Sequence, residues 1–501
     1  MQITDVSQLI IFYNLFHIAG DNIKPFTPEQ AKEIVMSLQK PAVFCNMAFD
    51  WPVRHWSVSY LANLCRGKRI LFRIGTKDMG TVPLFETKCS YVEATLEEFL
   101  AWIGSQPSHS CGPFKGYDLS KYWTYADYKY IARLFEDKPE HFQDLVWSDF
   151  GFEGRNGRDS TLWIGSRGAN TPCHLDSYGC NLVLQVQGSP VSSSRIGSLG
   201  LRKRWYLYPP EDSSLLYPTR VPYEESSVFS QVNVVNPDLR RYPRFKKAQA
   251  HVITLDPGQV LFVPRHWWHY VESIDPITVS VNSWIELDAD HEARVEEAIT
   301  RTLICAIKSA ETPDESDSWL NPTEVEVTSH ETNLQYLNEA VSAYLEHQKT
   351  SRSEHRTRGS HDTEDILQDP CKKRKIQVNP EPNPCESHLT GIKTKNFEKI
   401  PFGSNLLQVL PQSQGTCVPE TAEHSSQGLF SENEGRFGKL HNAGNTFGQG
   451  SDPRASADQK DQDLSANSPQ TIISTNDLLD CVLHPQVASL MAHLLLERAS
   501  F

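Results

Sequence analysis

The stretch His251-Val252-Ile253-Thr254-Leu255-Asp256-Pro257-Gly258-Gln259-Val260-Leu261-Phe262-Val263 holds two short apolar, β-branched runs on either side of a Pro-Gly turn. Such runs are too short for helices and too evenly punctuated for loops, so they predict a pair of adjacent strands. Working outward, the same texture recurs at 161–164, 181–187 and 204–208 upstream and at 278–287 downstream. Many short strands separated by Gly and Pro imply a sandwich or jelly-roll barrel, whose mouth is a natural place for a small-molecule site.

The chain ahead of this region is mixed. Ala31, Ile34, Val35 and Leu38 recur at helical spacing behind Thr27-Pro28, a start signal for a helix over 27–38. Short apolar runs at 42–46 and 70–74 read as strands, and Leu61, Leu64, Leu96, Phe99 and Leu100 suggest helices around them. The expected class is therefore α+β but mainly β: a sandwich or jelly-roll barrel with flanking helices and a disordered C-terminal tail.

Composition bounds the folded part. All 11 Trp lie at or before Trp319 and all 17 Tyr at or before Tyr344, so the last third has little aromatic material for a core. Residues 348–474 are rich in Ser, Asn, Gln, Glu and Gly without period, and no packed structure is expected there. A net charge of −14 argues against nucleic acid or an anionic membrane surface as the main partner. The 11 Cys are odd in number, dispersed and free of C-x-x-C pairs. That fits reduced thiols in the cytoplasm, with the nucleus as a second compartment, and disfavours structural zinc. The apolar run at 9–19 has no Lys or Arg ahead of it and is too short for a span. It reads as an amphipathic helix in a segment of unclear role, with a weak signal anchor as the lesser reading.

Beyond the strands, Val295, Ala298, Ile299, Leu303, Ala306 and Ile307 trace one helical face, and Leu334, Leu337, Val341, Tyr344 and Leu345 another. The two are expected to pack as a pair, covering the domain or forming a homodimer. Val487, Leu490, Met491, Leu494 and Leu495 fall at i, i+3, i+4, i+7 and i+8. This final amphipathic helix either docks back onto the domain or binds a partner.

Chemistry concentrates at Thr171-Pro172-Cys173-His174-Leu175-Asp176. Alternate residues on a strand share a face, so His174 and Asp176 can converge on one point. With 18 His and 62 acids in 501 residues, about two such pairs arise by chance, so the pair needs support. Support comes where the strand ending at Val263 runs through Pro264 into Arg265-His266-Trp267-Trp268-His269, placing another imidazole beside aromatic bulk. Two His and one carboxylate on one face of a metal leave positions open, which suits non-haem Fe(II) and oxygen chemistry better than a closed zinc site.

These residues resemble the JmjC branch of the cupin-fold Fe(II)- and 2-oxoglutarate-dependent oxygenases, especially the small asparaginyl-hydroxylase-like members. The resemblance runs from about Lys24 to Leu287, through 161–165, 171–179 and 260–273. It implies a double-stranded β-helix (jelly-roll, cupin) core, with Fe(II) held by His174, Asp176 and His269, His266 the rival for the third place, and 2-oxoglutarate and O2 as cosubstrates. It further implies that Lys203, in Arg202-Lys203-Arg204-Trp205, pairs with the distal carboxylate of 2-oxoglutarate beside the Thr171 hydroxyl. Asn181, Asn282 and Trp163 match pocket-lining positions. No catalytic side chain beyond the metal centre is implied. The activity implied is protein hydroxylation, ahead of lysine demethylation, since no histone-reader module accompanies the domain. The alternative is a non-catalytic or weakly catalytic adaptor in a stress response, with a small heat-shock protein as partner.

The resulting organisation is an N-terminal segment (1–23), a JmjC/cupin domain (24–288), a helical extension (289–347), a disordered linker (348–474) and a C-terminal helix (475–501). The chain departs from the family pattern twice. A Ser/Gly-rich insertion at 189–201 is either an enlarged hairpin loop, cheap in closure entropy, or a disturbance that turns Lys203 out of the pocket. Gln259 stands where many members carry Asp. Two basic runs, 240–247 with its interleaved aromatics and Lys372-Lys373-Arg374-Lys375, read mainly as solvated loops. An acidic-peptide or phosphate site at the first and a nuclear-localisation signal at the second are the functional alternatives.

Overall fold

Strict alternation along the strands separates a helix-covered face from a cavity-facing one, and the whole architecture follows from it. The computed structural model describes residues 23–104, 112–186, 201–309, 328–358, 400–412 and 475–500. The expectations for 9–19, for Lys372 to Lys375, for nearly all of the 189–201 insertion and for most of 348–474 lie outside those residues.

The strands are β1 (Ala42–Phe44), β2 (Ile70–Thr76), β3 (Ser90–Ala94), β4 (Tyr122–Tyr130), β5 (Thr161–Ser166), β6 (Asn170–Asp176), β7 (Cys180–Gln185) and β8 (Lys203–Tyr208). They continue as β9 (Pro218–Thr219), β10 (Ser227–Ser230), β11 (His251–Leu255), β12 (Val260–Val263), β13 (Trp268–Ser273), β14 (Ile277–Ile285) and β15 (Leu406–Gln408). A nine-stranded sheet runs β15-β1-β12-β7-β14-β5-β4-β2-β3, and a six-stranded sheet runs β11-β8-β13-β6-β10-β9. Neighbours in both are antiparallel.

In the larger sheet, Leu162, Ile164, Leu182, Leu184, Val279 and Val281 point outward into the main core. Their neighbours Trp163, Asn181, Val183, Ser280 and Asn282 point inward and line a cavity. The outer core is closed by α1 (Pro28–Ser37), α2 (Val58–Leu64) and α3 (Leu96–Gly104). Helix α1 begins with a reciprocal cap: Thr27 Oγ1 accepts from the Gln30 amide, and Gln30 Oε1 accepts from the Thr27 amide. Buried tryptophans in this layer each place the indole N–H on an acceptor, Trp51 on Asp149 at 2.7 Å, Trp56 on Asp144 at 2.9 Å and Trp147 on Ser160 at 2.9 Å. A one-turn helix α4 (Ile131–Leu134) follows β4.

In the smaller sheet, Cys173, Tyr208, Trp268 and Tyr270 face outward and are covered by Val234 and Phe245. Phe245 thus anchors the 240–247 run, and Arg240, Arg241, Arg244, Lys246 and Lys247 are exposed. Between the sheets, Val43, Leu207, Leu261, Val263 and Trp267 fill one end. The other end stays open as the cavity.

The strand expectations at 42–46, 70–74, 161–164, 181–187, 204–208, 251–255, 259–263 and 278–287 all coincide with strands to within a few residues. Strands β3, β4, β9, β10 and β15 were not anticipated, and β15, which pairs with β1 and buries Leu406, corrects the expectation of no packed structure over 348–474 at that point. Nor was the break at Pro264: His266 adopts a left-handed φ of 63°, and the chain restarts as β13.

Helices α5 (Asp290–Ser309) and α6 (His330–Arg358) do pack as a pair. Val295 and Ile299 meet Leu337, Val341 and Tyr344, so their stripes cover each other within one chain. The C-terminal segment forms two helices, α7 (Thr475–Val482) and α8 (Pro485–Ala499). The expected stripe of α8 is corrected in part. Ala488, Ala492 and Leu496 are the buried residues, Met491 and Leu495 pack beside them, and Val487, Leu490 and Leu494 are exposed. Small alanines let the helix axis come close to α5, which rotates half of the leucine stripe away.

Candidate metal centre

Three side chains from two neighbouring strands meet at the inner face of the smaller sheet. Asp176 lies two residues after His174 on β6, so both share a face, and β13 pairs antiparallel with β6 in a register that sets His269 opposite His174. His174 Nε2 is 3.7 Å from Asp176 Oδ1, and His269 Nε2 is 4.0 Å from Asp176 Oδ2. The ligand atoms of all three lie within 4.8 Å of one another, a group that could hold a metal ion.

The orientation of each group is fixed from behind. His174 Nδ1–H donates to the Pro172 carbonyl at 2.9 Å, and His269 Nδ1–H donates to the Trp267 carbonyl at 3.0 Å. A carbonyl can only accept, so both Nε2 lone pairs point at the common centre, the arrangement that metal-binding histidines use. Asp176 Oδ2 accepts from Trp284 Nε1 at 2.9 Å. Burial, reinforced by the facing His269 and opposed by Asp176, pushes His174 down to about 4, so its ring is neutral and available as a ligand near pH 7. His266 lines neither the cluster nor the cavity. Its place in the tight turn after Pro264 is the reason.

A second polar group occupies the same cavity. Lys203, only 2 % exposed, donates from Nζ to Ser280 Oγ at 2.8 Å and to Tyr125 Oη at 3.1 Å. Thr171 is hydrogen-bonded to the Tyr125 hydroxyl. The insertion before β8 has not turned Lys203 outward: β8 pairs with β11 and β13 in continuous register, Lys203 lying opposite Leu255 and Ser273. Burial lowers the Lys203 ammonium to about 7, with Asp127 opposing. A buried amine bonded to two hydroxyls, with the Thr171 hydroxyl behind Tyr125, is a ready receptor for a carboxylate.

The floor is a hydrogen-bonded row: Trp163 Nε1 donates to Asn282 Oδ1 at 2.7 Å, and Asn282 Nδ2 donates to Asn181 Oδ1 at 2.9 Å. All eight expected positions, Trp163, Thr171, His174, Asp176, Asn181, Lys203, His269 and Asn282, line one cavity of about 1150 Å³. Sequence reading missed Tyr125, Tyr128, Glu224, Ser280 and Trp284, which line it too. The density of Tyr and Trp over Tyr122–Tyr130 was the one available signal, and it marks an aromatic strand without marking which ring faces the cavity. There a bulge between Ala126 and Lys129 holds Tyr128 at φ 52° and turns its ring against Trp163, centroids 4.5 Å apart.

Two facing antiparallel sheets with a His, Asp, His cluster at their open end define a cupin, and residues 28–291 match the family model described as a cupin-like domain. The chain belongs to this cupin-like JmjC family, whose members generally use Fe(II) and 2-oxoglutarate. It is 55 % identical over 487 residues to HSPB1-associated protein 1 of Homo sapiens, covering 96 % of each chain. It is 48 % identical over 485 residues to the HSPB1-associated protein 1 homolog of Danio rerio, covering 95 % of this chain and 98 % of that one. Lysine-specific demethylase 8 of Xenopus tropicalis is more distant, 28 % identical over 252 residues, 49 % of this chain and 48 % of the relative.

Proposed function

We propose that the protein is an Fe(II)- and 2-oxoglutarate-dependent oxygenase that hydroxylates a protein side chain. The observation that carries this reading is the presence, in one cavity, of the inward-aimed His174, Asp176 and His269 set together with the buried amine of Lys203. The donor set fits a divalent iron: two neutral imidazoles and one carboxylate leave positions open for small ligands. Bound there, iron with 2-oxoglutarate and O2 supplies the oxidising chemistry. The chain supplies the rest. Lys203, Tyr125, Thr171 and Ser280 would receive the distal carboxylate, and the Trp163, Asn282, Asn181 row would fix the cosubstrate's flank. At about 1150 Å³ the cavity exceeds what a five-carbon diacid needs and leaves room for a substrate side chain. Hydroxylation is preferred to lysine demethylation because nothing in the chain resembles a histone reader.

The test is an anaerobic titration of Fe(II)-loaded protein with 2-oxoglutarate, following the weak visible charge-transfer band, with His174→Ala as control. A band in wild type alone supports the reading. Its absence in wild type refutes it.

A second reading is favoured by the names of the relatives, which are described as associated with HSPB1: the protein binds a small heat-shock protein through its outer surface. The two readings are compatible, since a hydroxylase must also hold its protein substrate.

A further inference from the structure

One wall of the cavity is the chain between β9 and β10, where Glu224, Glu225, Ser226 and Ser227 line the space. This wall is held from behind by a helix from the far end of the chain. Thr219 Oγ1 donates to Asp480 Oδ1 at 2.6 Å, and Gln231 Nε2 donates to Asp480 Oδ2 at 3.3 Å. One carboxylate on α7 therefore grips both ends of the 219–231 hairpin. Beside it Leu479 and Leu483 are buried against Tyr223 of the hairpin and Ile304 of α5.

The grip reaches the metal centre through a buried ion pair. Arg220, next to Thr219, donates from Nη1 to Glu297 Oε2 on α5 at 2.9 Å, from Nη2 to Glu297 Oε1, and from Nη1 to the Ser227 carbonyl at 3.1 Å. The same Glu297 accepts from Ser177 Oγ at 2.8 Å and from the Ser226 amide at 3.1 Å. Ser177 directly follows Asp176, and Ser227 pairs with Asp176 across the sheet. Moving Arg220 would leave the Glu297 charge buried and unpaired, a costly state, so hairpin, α5 and the turn after Asp176 hold or release as a unit.

We propose that Asp480 is a positioning residue for the candidate metal centre: docked α7 fixes the 219–231 hairpin and, through Arg220 and Glu297, the segment carrying Asp176. Helix α7 lies outside residues 28–291 that match the family model, so the site depends on an element the domain does not itself contain. The inference rests on the metal-centre reading above, and the experiment separates the two.

Full-length wild type is compared with Asp480→Ala, with Asp480→Asn, with the pair Leu479→Asp and Leu483→Asp, and with Leu490→Asp on the exposed face of α8 as control. Hydrogen exchange over 219–231 and the dissociation constant for Co(II) alone are measured. Asp480→Ala and the paired variant are expected to speed exchange in the hairpin and weaken Co(II) binding about ten-fold, the size of effect typical of groups that orient metal ligands. Asp480→Asn keeps the acceptor for Thr219 and restores most of both, and Leu490→Asp changes neither. If the paired variant does not fold, Thr219→Val takes its place: it removes one of the two side-chain bonds to Asp480, is expected to speed hairpin exchange on its own, and combined with Asp480→Ala gives less than the sum of the two effects because the Thr219–Asp480 bond is shared. Unaltered exchange over 219–231 overturns the brace. Faster exchange with unaltered Co(II) affinity overturns its link to Asp176. A wild type that binds no Co(II) refutes the metal-centre reading instead, and exchange then decides the brace alone.

Discussion

Lys203 is a side chain whose charge is controlled by the fold. Burial brings it from an ordinary lysine value down to about 7, so between pH 7 and about 10.5 the unfolded chain carries a proton that the folded chain lacks. Stability therefore rises with pH across that window, and the cost of the buried ammonium is full below about pH 7. Lys203→Met should stabilise the ligand-free protein, by roughly 2–3 kcal/mol below pH 7 and progressively less toward pH 10, as read from urea unfolding at several pH values. The same variant should lose 2-oxoglutarate affinity by at least about a hundred-fold, since a charge-assisted pair worth about 3 kcal/mol is gone. In wild type that affinity should fall as pH rises past 7, because the diacid must restore a proton to a neutral amine. Stabilisation together with undiminished affinity would show that Lys203 does not face the carboxylate. His174, Asp176 and Lys203 were legible because strand alternation fixes their common side. Tyr125 and Ser280 were not: nothing local marks a Tyr on β4 or a Ser on β14 as a neighbour of a lysine 77 or 78 residues away. Their meeting depends on register across sheet pairings that sequence spacing does not encode.

At the scale of elements, the turn from β6 to β7 sets where Asp176 ends up. Gly179 there has φ 60°, its amide donates to Asp290 Oδ1 at 2.8 Å, and an added Cβ would sit 2.3 Å from the Ile285 carbonyl oxygen of β14. A left-handed backbone alone costs a non-glycine residue about 1 kcal/mol, and a clash with main chain cannot be relieved by a rotamer change. Gly179→Ala should therefore destabilise the protein by roughly 2–4 kcal/mol, within the range of other strained backbone substitutions. It should also weaken metal binding, since the turn cannot shift without moving Asp176. Denaturant unfolding and a Co(II) titration check the two effects, and a loss below about 0.5 kcal/mol would mean that the turn yields easily. The strands that sequence anticipated, such as β5, β7 and β14, alternate between a dry face and the cavity. Those it missed are aromatic or polar on both faces, as in β4, or very short, as in β10 and β15. The break before β13 was hidden because Pro264-Arg265-His266 interrupts an apolar run without a glycine to mark the left-handed position.

At the scale of the whole molecule, the site and the outer surface are physically separate, and that separation makes the two functional readings distinguishable. His174 and His269 are 6 % and 4 % exposed and lie inside a cavity, whereas the exposed features of the described residues include the 240–247 cations and the Val487, Leu490, Leu494 edge of α8. Helices α5, α6 and α8 bury part of their stripes against one another, while Leu334 and Tyr336 of α6 are exposed. On the proposed reading, His174→Ala or Asp176→Ala removes a candidate metal ligand inside the cavity and leaves the 240–247 cations and the α8 edge unchanged. Turnover of 2-oxoglutarate should fall at least a thousand-fold in either variant, while affinity for a purified small heat-shock protein, measured by titration calorimetry, should stay within about two-fold of wild type, because surface complementarity far from a mutation is usually unaffected. Parallel loss of both would place the partner inside the cavity, as the substrate itself. Retention of binding with loss of turnover would assign recognition to the exterior, and the hydroxylated residue would then be sought on a chain tethered by that surface and reaching into the cavity.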